Sequence, residues 1–344
     1  MSSEDDYPES PLQHYLQEIL PGRNLTPNRN WTYEEIVRKF EDQILIPEGI
    51  SAEEIDTPEA RRFANNLEDQ HESNTAGSYL STLNKIYEWM RDKGIINRNP
   101  FRIVTRDRDF TKGYRRRRDI SVSEMGSFLK RGFSNPLLLA VFTMLAKTGM
   151  RVGEIVNLDL RDVYLDHPKV QQCYPARRTE LDGRPDTIYV TNEIDMGTEY
   201  RNEIRKAGNK RKRVTFFPID PELKQILVYY LNTRPTVDVV ERPFFVGQGG
   251  ITKRLNQRLT PATVQGQLRE RASAEGWRDG KYNPQNVTPH YFRHFFTTHA
   301  KRRMDELTVK YLRGDKGDDV MDRYTHNWGN EVRREYLANI YELY

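Results

Sequence analysis

The sequence predicts an α+β fold, mainly α with a small antiparallel β-sheet, divided into two domains. Apolar residues recur at helical spacing over the first hundred positions, two later runs have the β-branched and aromatic character of strands, and proline punctuation marks helix starts towards the C-terminus. At 344 residues the chain is long enough for two domains with separate cores.

The N-terminal helical pattern lies in Leu12, Tyr15, Leu16, Ile19 and Leu20, in Ile36, Phe40 and Ile44, and in Tyr79, Leu80, Leu83, Ile86, Tyr87 and Met90. The last of these helices should stop near Gly94, and Asn99-Pro100 should then force an extended or turn conformation. From about Ile103 to Asp119 the hydrophobic period is lost, and the block Arg115, Arg116, Arg117, Arg118 reads as a basic linker. The predicted organisation is a helical domain over 1–102, a linker over 103–118 and a second domain over 119–344.

In the second domain Ser121 or Ser123 is the expected N-cap of a first helix, and Leu137 to Lys147 form an apolar core helix ended by Gly149. Thr187 to Ile194 and Arg213 to Ile219 read as strands separated by a long basic loop. Asp220-Pro221, Thr260-Pro261 and Thr288-Pro289 each set a capping residue before a proline at the first helical position. A last helix is expected over Glu331 to Tyr344. No internal repeat or low-complexity segment interrupts this reading.

Composition narrows the function classes. The single cysteine, Cys173, excludes an internal disulfide framework, and no Cys and His cluster has the spacing of a structural zinc site. The opening MSSEDDYPES lacks a basic start and an apolar core, so a secretory signal is not expected. The longest apolar run, Leu137 to Ala146, is far short of the ~20 residues that cross a bilayer. A cytoplasmic protein in a reducing compartment, away from membranes, is the expectation. Net charge is only +4, but its distribution is uneven. Eight Lys or Arg fall between Phe101 and Arg118, and five more lie in Lys206 to Arg213 with no acid among them. Such density suits a phosphate-binding surface, although solvated charge runs look the same in sequence.

Four short stretches hold the chemistry. They are Thr148 to Glu154, with Arg151; Lys210 to Ile219; His290 to His294, with Arg293; and Leu312 to Asp315, followed nine residues later by Tyr324. In identity, order and spacing these residues resemble the tyrosine recombinase family, the phage-integrase type of site-specific DNA recombinase. The family pattern is an Arg in Gly-x-Arg-x-x-Glu, a hairpin Lys before a Val-Pro-like strand end, His-x-x-Arg, a Leu-Gly-His-like turn, and a Tyr nine residues beyond it. The motifs run from roughly Asp119 to the end, the extent of a catalytic domain, while the helical first part resembles the family's core-binding domain in layout.

The resemblance implies cleavage and rejoining of DNA strands through a 3′-phosphotyrosyl intermediate on Tyr324, without metal, ATP or other cofactor. Arg151 and Arg293 would clamp the non-bridging oxygens of the scissile phosphate, which forked guanidiniums bind bidentately. Glu154 would support Arg151. A tyrosine with a pKa near 10 needs a positive field or a base, and His290 would supply either. Lys210 is the candidate to protonate the leaving 5′ oxygen, with Lys206 and Lys212 as rivals. Arg115 to Arg118, Lys212 and Arg213 would line double-stranded DNA, and the two domains would clamp the duplex. A homotetramer on DNA is the implied assembly, with the C-terminal helix either touching a neighbour or packing on its own domain.

Asp315 departs from the pattern, which has His or Trp there; variants of this kind resemble archaeal members. An ionised carboxylate cannot donate to phosphate. Asp315 would then orient Arg151 or Arg293, or Arg313 would replace the missing donor, or the enzyme would be weakened. Two alternatives remain open at this level, a type IB topoisomerase-like enzyme and a catalytically inactive DNA-binding regulator of the same fold. Pro175 to Arg205 reads as an insertion of unassigned function.

Overall fold

The computed structural model describes residues 10–23, 27–108, 117–237, 242–253, 255–280, 283–315 and 328–344. Tyr324, Arg115 and Arg116 lie outside the described residues. The chain divides into two compact units, Met1–Arg115 and Arg116–Tyr344.

The first unit is helical, with its main helices at Pro27–Phe40, Thr57–Gln70, Ser73–Asp92 and Pro100–Asp107. Its centre is an aromatic cluster in which Phe40 meets Phe63 edge-on at 5.0 Å and Phe101 at 5.4 Å. Asn99 is extended, as expected before a proline, but the structure adds a helix that the sequence reading did not expect there: Asn99 caps it, its side chain accepting from the Phe101 N–H at 2.9 Å. Proline at the first helical position costs no hydrogen bond, and Phe101 and Val104, one turn apart, enter the core. Residues 103–107, read above as linker, are therefore part of the first unit.

In the second unit Ser121 and Glu124 form a reciprocal capping box before Val122–Gly132. The apolar helix Pro136–Thr148 is buried almost throughout and ends at Gly149, whose φ is 59°. The sheet has the order β1 (Val163–Tyr164), β2 (Thr187–Val190), β5 (Thr215–Pro218), all antiparallel, with Ile188 opposite Val163 and Phe217. Since β2 is the central strand, Pro175 to Arg205 cannot be a dispensable insertion as a whole. The same stretch also holds the small hairpin β3 (Glu199–Tyr200) and β4 (Glu203–Ile204), tied down by Arg201 and Arg205 to buried Asp159.

The three Asp/Thr-Pro signals open Pro221–Thr233, Pro261–Ala274 and Pro289–Ala300 as expected. The last helix is Trp328–Asn339, so the expected span to Tyr344 is too long. Residues 340–344 leave the helix to fill the core of their own unit. Tyr341 is buried with its hydroxyl donating to the Ala146 carbonyl at 2.6 Å, and buried Lys147 donates to the Tyr341 carbonyl while pairing with Asp220 and Glu222. Removing residues 340–344 takes the Tyr341 and Leu343 side chains out of the core and strips one partner from a buried ammonium. Truncation after Asn339 is expected to lower the melting temperature by about 6 °C or more, measured by calorimetry.

Candidate active site

Two helix ends and one helix face assemble the site. Arg151 is the N-cap of the short helix Val152–Val156, two residues after Gly149. Fully buried Glu154 reaches back to it, one oxygen accepting from the Arg151 N–H at 2.8 Å and the other from Nη1 at 3.1 Å. Arg293 lies on Pro289–Ala300, one turn from the Thr288 cap. Its Nη1 donates to the Gly149 carbonyl at 3.0 Å, and its Nη2 to the Arg313 carbonyl at 3.0 Å and Asp315 Oδ1 at 2.7 Å.

Asp315 is the meeting point. Besides Arg293, its carboxylate lies 3.1 Å from Arg313 Nε and 3.8 Å from Arg151 Nη2. The sequence placed Arg151 with Glu154, Arg293, and Asp315 in three separate motifs, and the structure brings all four residues together. Arg293 is almost wholly buried, and desolvation, followed by repulsion from Arg151, lowers its pKa to about 10. It stays protonated at neutral pH. Arg151 and Asp315 each keep 28% of their side-chain surface exposed, so an anion can approach this pair from solvent.

His290 retains solvent contact, yet partial desolvation and then the charges of Arg117, Arg293, Arg151 and Arg313 push its pKa below the usual 6.5. The neutral ring is the form present at pH 7. His299 belongs to the core, its Nε2 lying 2.9 Å from the Ile120 carbonyl beside Phe295 and Tyr341. Of the described linker arginines, Arg118 is turned onto its own unit, towards the Gln285 and Gly276 carbonyls, while Arg117 is exposed and acts on His290.

Lys210, Lys206 and Lys212 are all exposed. Lys210 and Lys212 flank Arg211, and the Lys212 N–H faces the Gly314 carbonyl at 3.4 Å. Arg213 reaches the Asp315 carbonyl at 3.4 Å. The basic loop is thereby joined to the Gly314 turn, with Arg211 as its inward residue. Sequence reading missed Arg211. Local periodicity does not mark it: Arg211 precedes β5, and Arg213, which shares the parity of Thr215 and Phe217, is only half-buried.

No family model matches the sequence. Among curated proteins, the chain is 22% identical over 339 residues to the tyrosine recombinase XerC of Vibrio vulnificus strain YJ016, covering 96% of this chain and 90% of that protein. It is 23% identical over 332 residues to XerC of Staphylococcus haemolyticus, covering 94% of each. Both likenesses run over nearly the whole chain, and the proteins on the other side of them are tyrosine recombinases. The fold agrees: the Tn1549 transposon integrase in complex with transposon right end DNA matches 96% of this chain and all of that one, with a TM-score of 0.68 at 17% identity. A lambda integrase tetramer bound to a Holliday junction matches 90% of this chain and 77% of its own, with a TM-score of 0.63, also at 17% identity.

For a tyrosine recombinase, Asp315 at this junction has the geometry of an arginine-orienting group. Asp315→Ala is expected to slow single-turnover strand cleavage by about tenfold to a hundredfold, the effect of losing one charge-assisted bond. DNA affinity should be unchanged or higher, because a negative charge is removed; cleavage at the parent rate would discard the orienting role. His290 supplies a second expectation. A depressed pKa means the neutral ring's contribution is complete above pH 6.5 and is lost as pH falls through the lower folded-state value. The acid limb of the cleavage profile should therefore lie below pH 6.5 and vanish in His290→Gln.

Proposed function

We propose that this tyrosine recombinase cleaves and rejoins double-stranded DNA at specific sites, with Tyr324 as nucleophile. The observation that carries the reading is the convergence of Arg151, Arg293 and Arg313 on one carboxylate at a solvent-accessible point, where a phosphate would meet the same guanidiniums. Tyr324 follows Asp315 by nine residues. Its phenolate oxygen attacks phosphorus, the bond from phosphorus to the 5′ oxygen breaks, and a 3′-phosphotyrosyl ester and a free 5′-hydroxyl result. Lys210 delivers the proton to the leaving oxygen. Neutral His290 accepts the phenolic proton, and Arg151 and Arg293 hold the charge developing on the non-bridging oxygens. The ester conserves the bond energy, so religation by another 5′-hydroxyl needs no ATP, and the arginines do the electrostatic work a metal would otherwise do.

Arg117, Lys212 and Arg213, with Arg115 and Arg116, are the proposed backbone contacts, which position the duplex without reading its sequence, while Arg118, engaged by its own unit, is left out of that set. Strand exchange between two duplexes calls for four copies on DNA, and such a protein would work in the cytoplasm beside the chromosome. The test is an SDS-resistant adduct assay with nicked duplexes from the DNA flanking the protein's own gene, in EDTA. A labelled adduct with the parent and none with Tyr324→Phe is expected. An adduct that survives in Tyr324→Phe would transfer the role to another tyrosine, and binding without any adduct would indicate a DNA-binding protein that has lost catalysis.

A further inference from the structure

Arg211 is a positively charged side chain with no exposed surface, in a loop whose neighbouring Lys210 and Lys212 face solvent. Burying an unpaired guanidinium is strongly unfavourable, so its partners reveal what it serves. Its Nη2 donates to Glu154 Oε2 at 3.2 Å, and its Nη1 to the Leu312 carbonyl at 3.0 Å and Thr215 Oγ1 at 2.8 Å. One fork thus ties the Arg151–Glu154 helix start, the end of the Glu306–Arg313 helix and strand β5. Its Nε is buried without a hydrogen-bond partner among the described residues.

The packing around the fork is just as constrained. Gly314, between Arg313 and Asp315, has φ 65°, and a Cβ there would lie 2.7 Å from Arg211 Nη1. The turn that presents Asp315 therefore rests directly on the Arg211 guanidinium. At its own root the loop is fixed by the Arg211 N–H donating to the Asn209 carbonyl at 2.7 Å. Asn209 itself bonds to Asn157 at 2.9 Å and to the Thr191 carbonyl at 2.9 Å.

The geometry assigns to Arg211 the role of a positioning residue that sets Arg151 and the Asp315 turn in register with each other, without touching DNA. The assignment rests on the recombinase reading. Glu154 is the intermediary. Were it paired with Arg151 alone, its buried carboxylate would draw that guanidinium inward; Arg211 neutralises one oxygen from behind, which leaves Arg151 Nη2 directed at the point where Arg293 and Asp315 meet. Arg211 also holds the Leu312 carbonyl, next to the Arg313 carbonyl that accepts from Arg293, so both clamp arginines are referred to one buried group.

The test compares Arg211→Met, which keeps bulk and removes charge, with Arg211→Lys, which keeps charge but cannot reach three partners as a fork does. Single-turnover cleavage at saturating DNA is measured beside the DNA Kd and the melting temperature. Arg211→Met is expected to cleave about tenfold to a hundredfold more slowly with Kd within about threefold of the parent, and Arg211→Lys to recover part of the rate. A purely structural arginine would lower melting temperature and affinity along with rate, and that pattern overturns the assignment, as does cleavage by Arg211→Met at the parent rate. Should Arg211→Met fail to fold, Arg211→Lys decides: full parental rate rejects the fork, and a slower rate at unchanged Kd and melting temperature supports it. A parent that forms no adduct with any duplex would sink the recombinase reading, and this assignment with it.

Discussion

Concentrating like charge in a small volume is the constraint on which this site depends. Arg151, Arg293, Arg313 and Arg211 crowd around two carboxylates, Glu154 and Asp315. Burial first and then repulsion from Arg151 register in Arg293, whose pKa falls to about 10. The two carboxylates offset enough of that repulsion to keep the guanidiniums together before any substrate arrives, and the excess positive charge reaches outward to His290. A site so charged is organised for an anion in advance and need not gather its groups during the reaction.

Helix ends supply the rest of the balance. The Pro136–Thr148 and Glu306–Arg313 helices each stop at a left-handed glycine, Gly149 and Gly314. Such caps leave carbonyls unpaired at the negative end of the helix dipole, where a cation is favoured. Arg293 takes the carbonyls of Gly149 and Arg313, and Arg211 takes that of Leu312. Both glycines are also sterically fixed, since a Cβ at 149 would strike Phe296 at 2.4 Å and one at 314 would strike Arg211. The backbone punctuation that ends the helices is the same feature that receives the buried arginines.

What was legible in the sequence follows from how local each signal is. Thr288-Pro289 or Ser121 with Glu124 determine a helix start within four residues, and they fall where expected. Asn99-Pro100 carried the same signal but was read for its proline alone, although Phe101 and Val104 already had helical spacing. Strand β1 is two residues long and held by its pairing with β2, so no periodicity could reveal it. Tyr341 and Leu343 look like the end of an amphipathic helix, and only the Ala146 carbonyl and Lys147 explain why the chain unwinds into the core instead. In the site, the four motifs were separable by order and spacing, whereas the inward turn of Arg211 depends on Glu154, 57 positions away.

Asp315 shows how a departure from a family pattern can be absorbed. A histidine in that place could donate a hydrogen bond to a phosphate, and a carboxylate cannot. Here the carboxylate instead receives Arg293 closely and Arg151 more loosely, at 2.7 and 3.8 Å. The difference matters under the proposed chemistry. Arg293, locked between two carbonyls and Asp315, is the fixed half of the clamp; Arg151, partly exposed and held at short range only by Glu154 among the described residues, is the half that can turn to an entering phosphate. Asp315 then holds the place of the anion between turnovers, weakly enough on the Arg151 side to give it up. Under that chemistry the direct donor of the pattern would be exchanged for an orienting group, with Arg313, 3.1 Å from the same carboxylate, as a donor beside the position that has lost one.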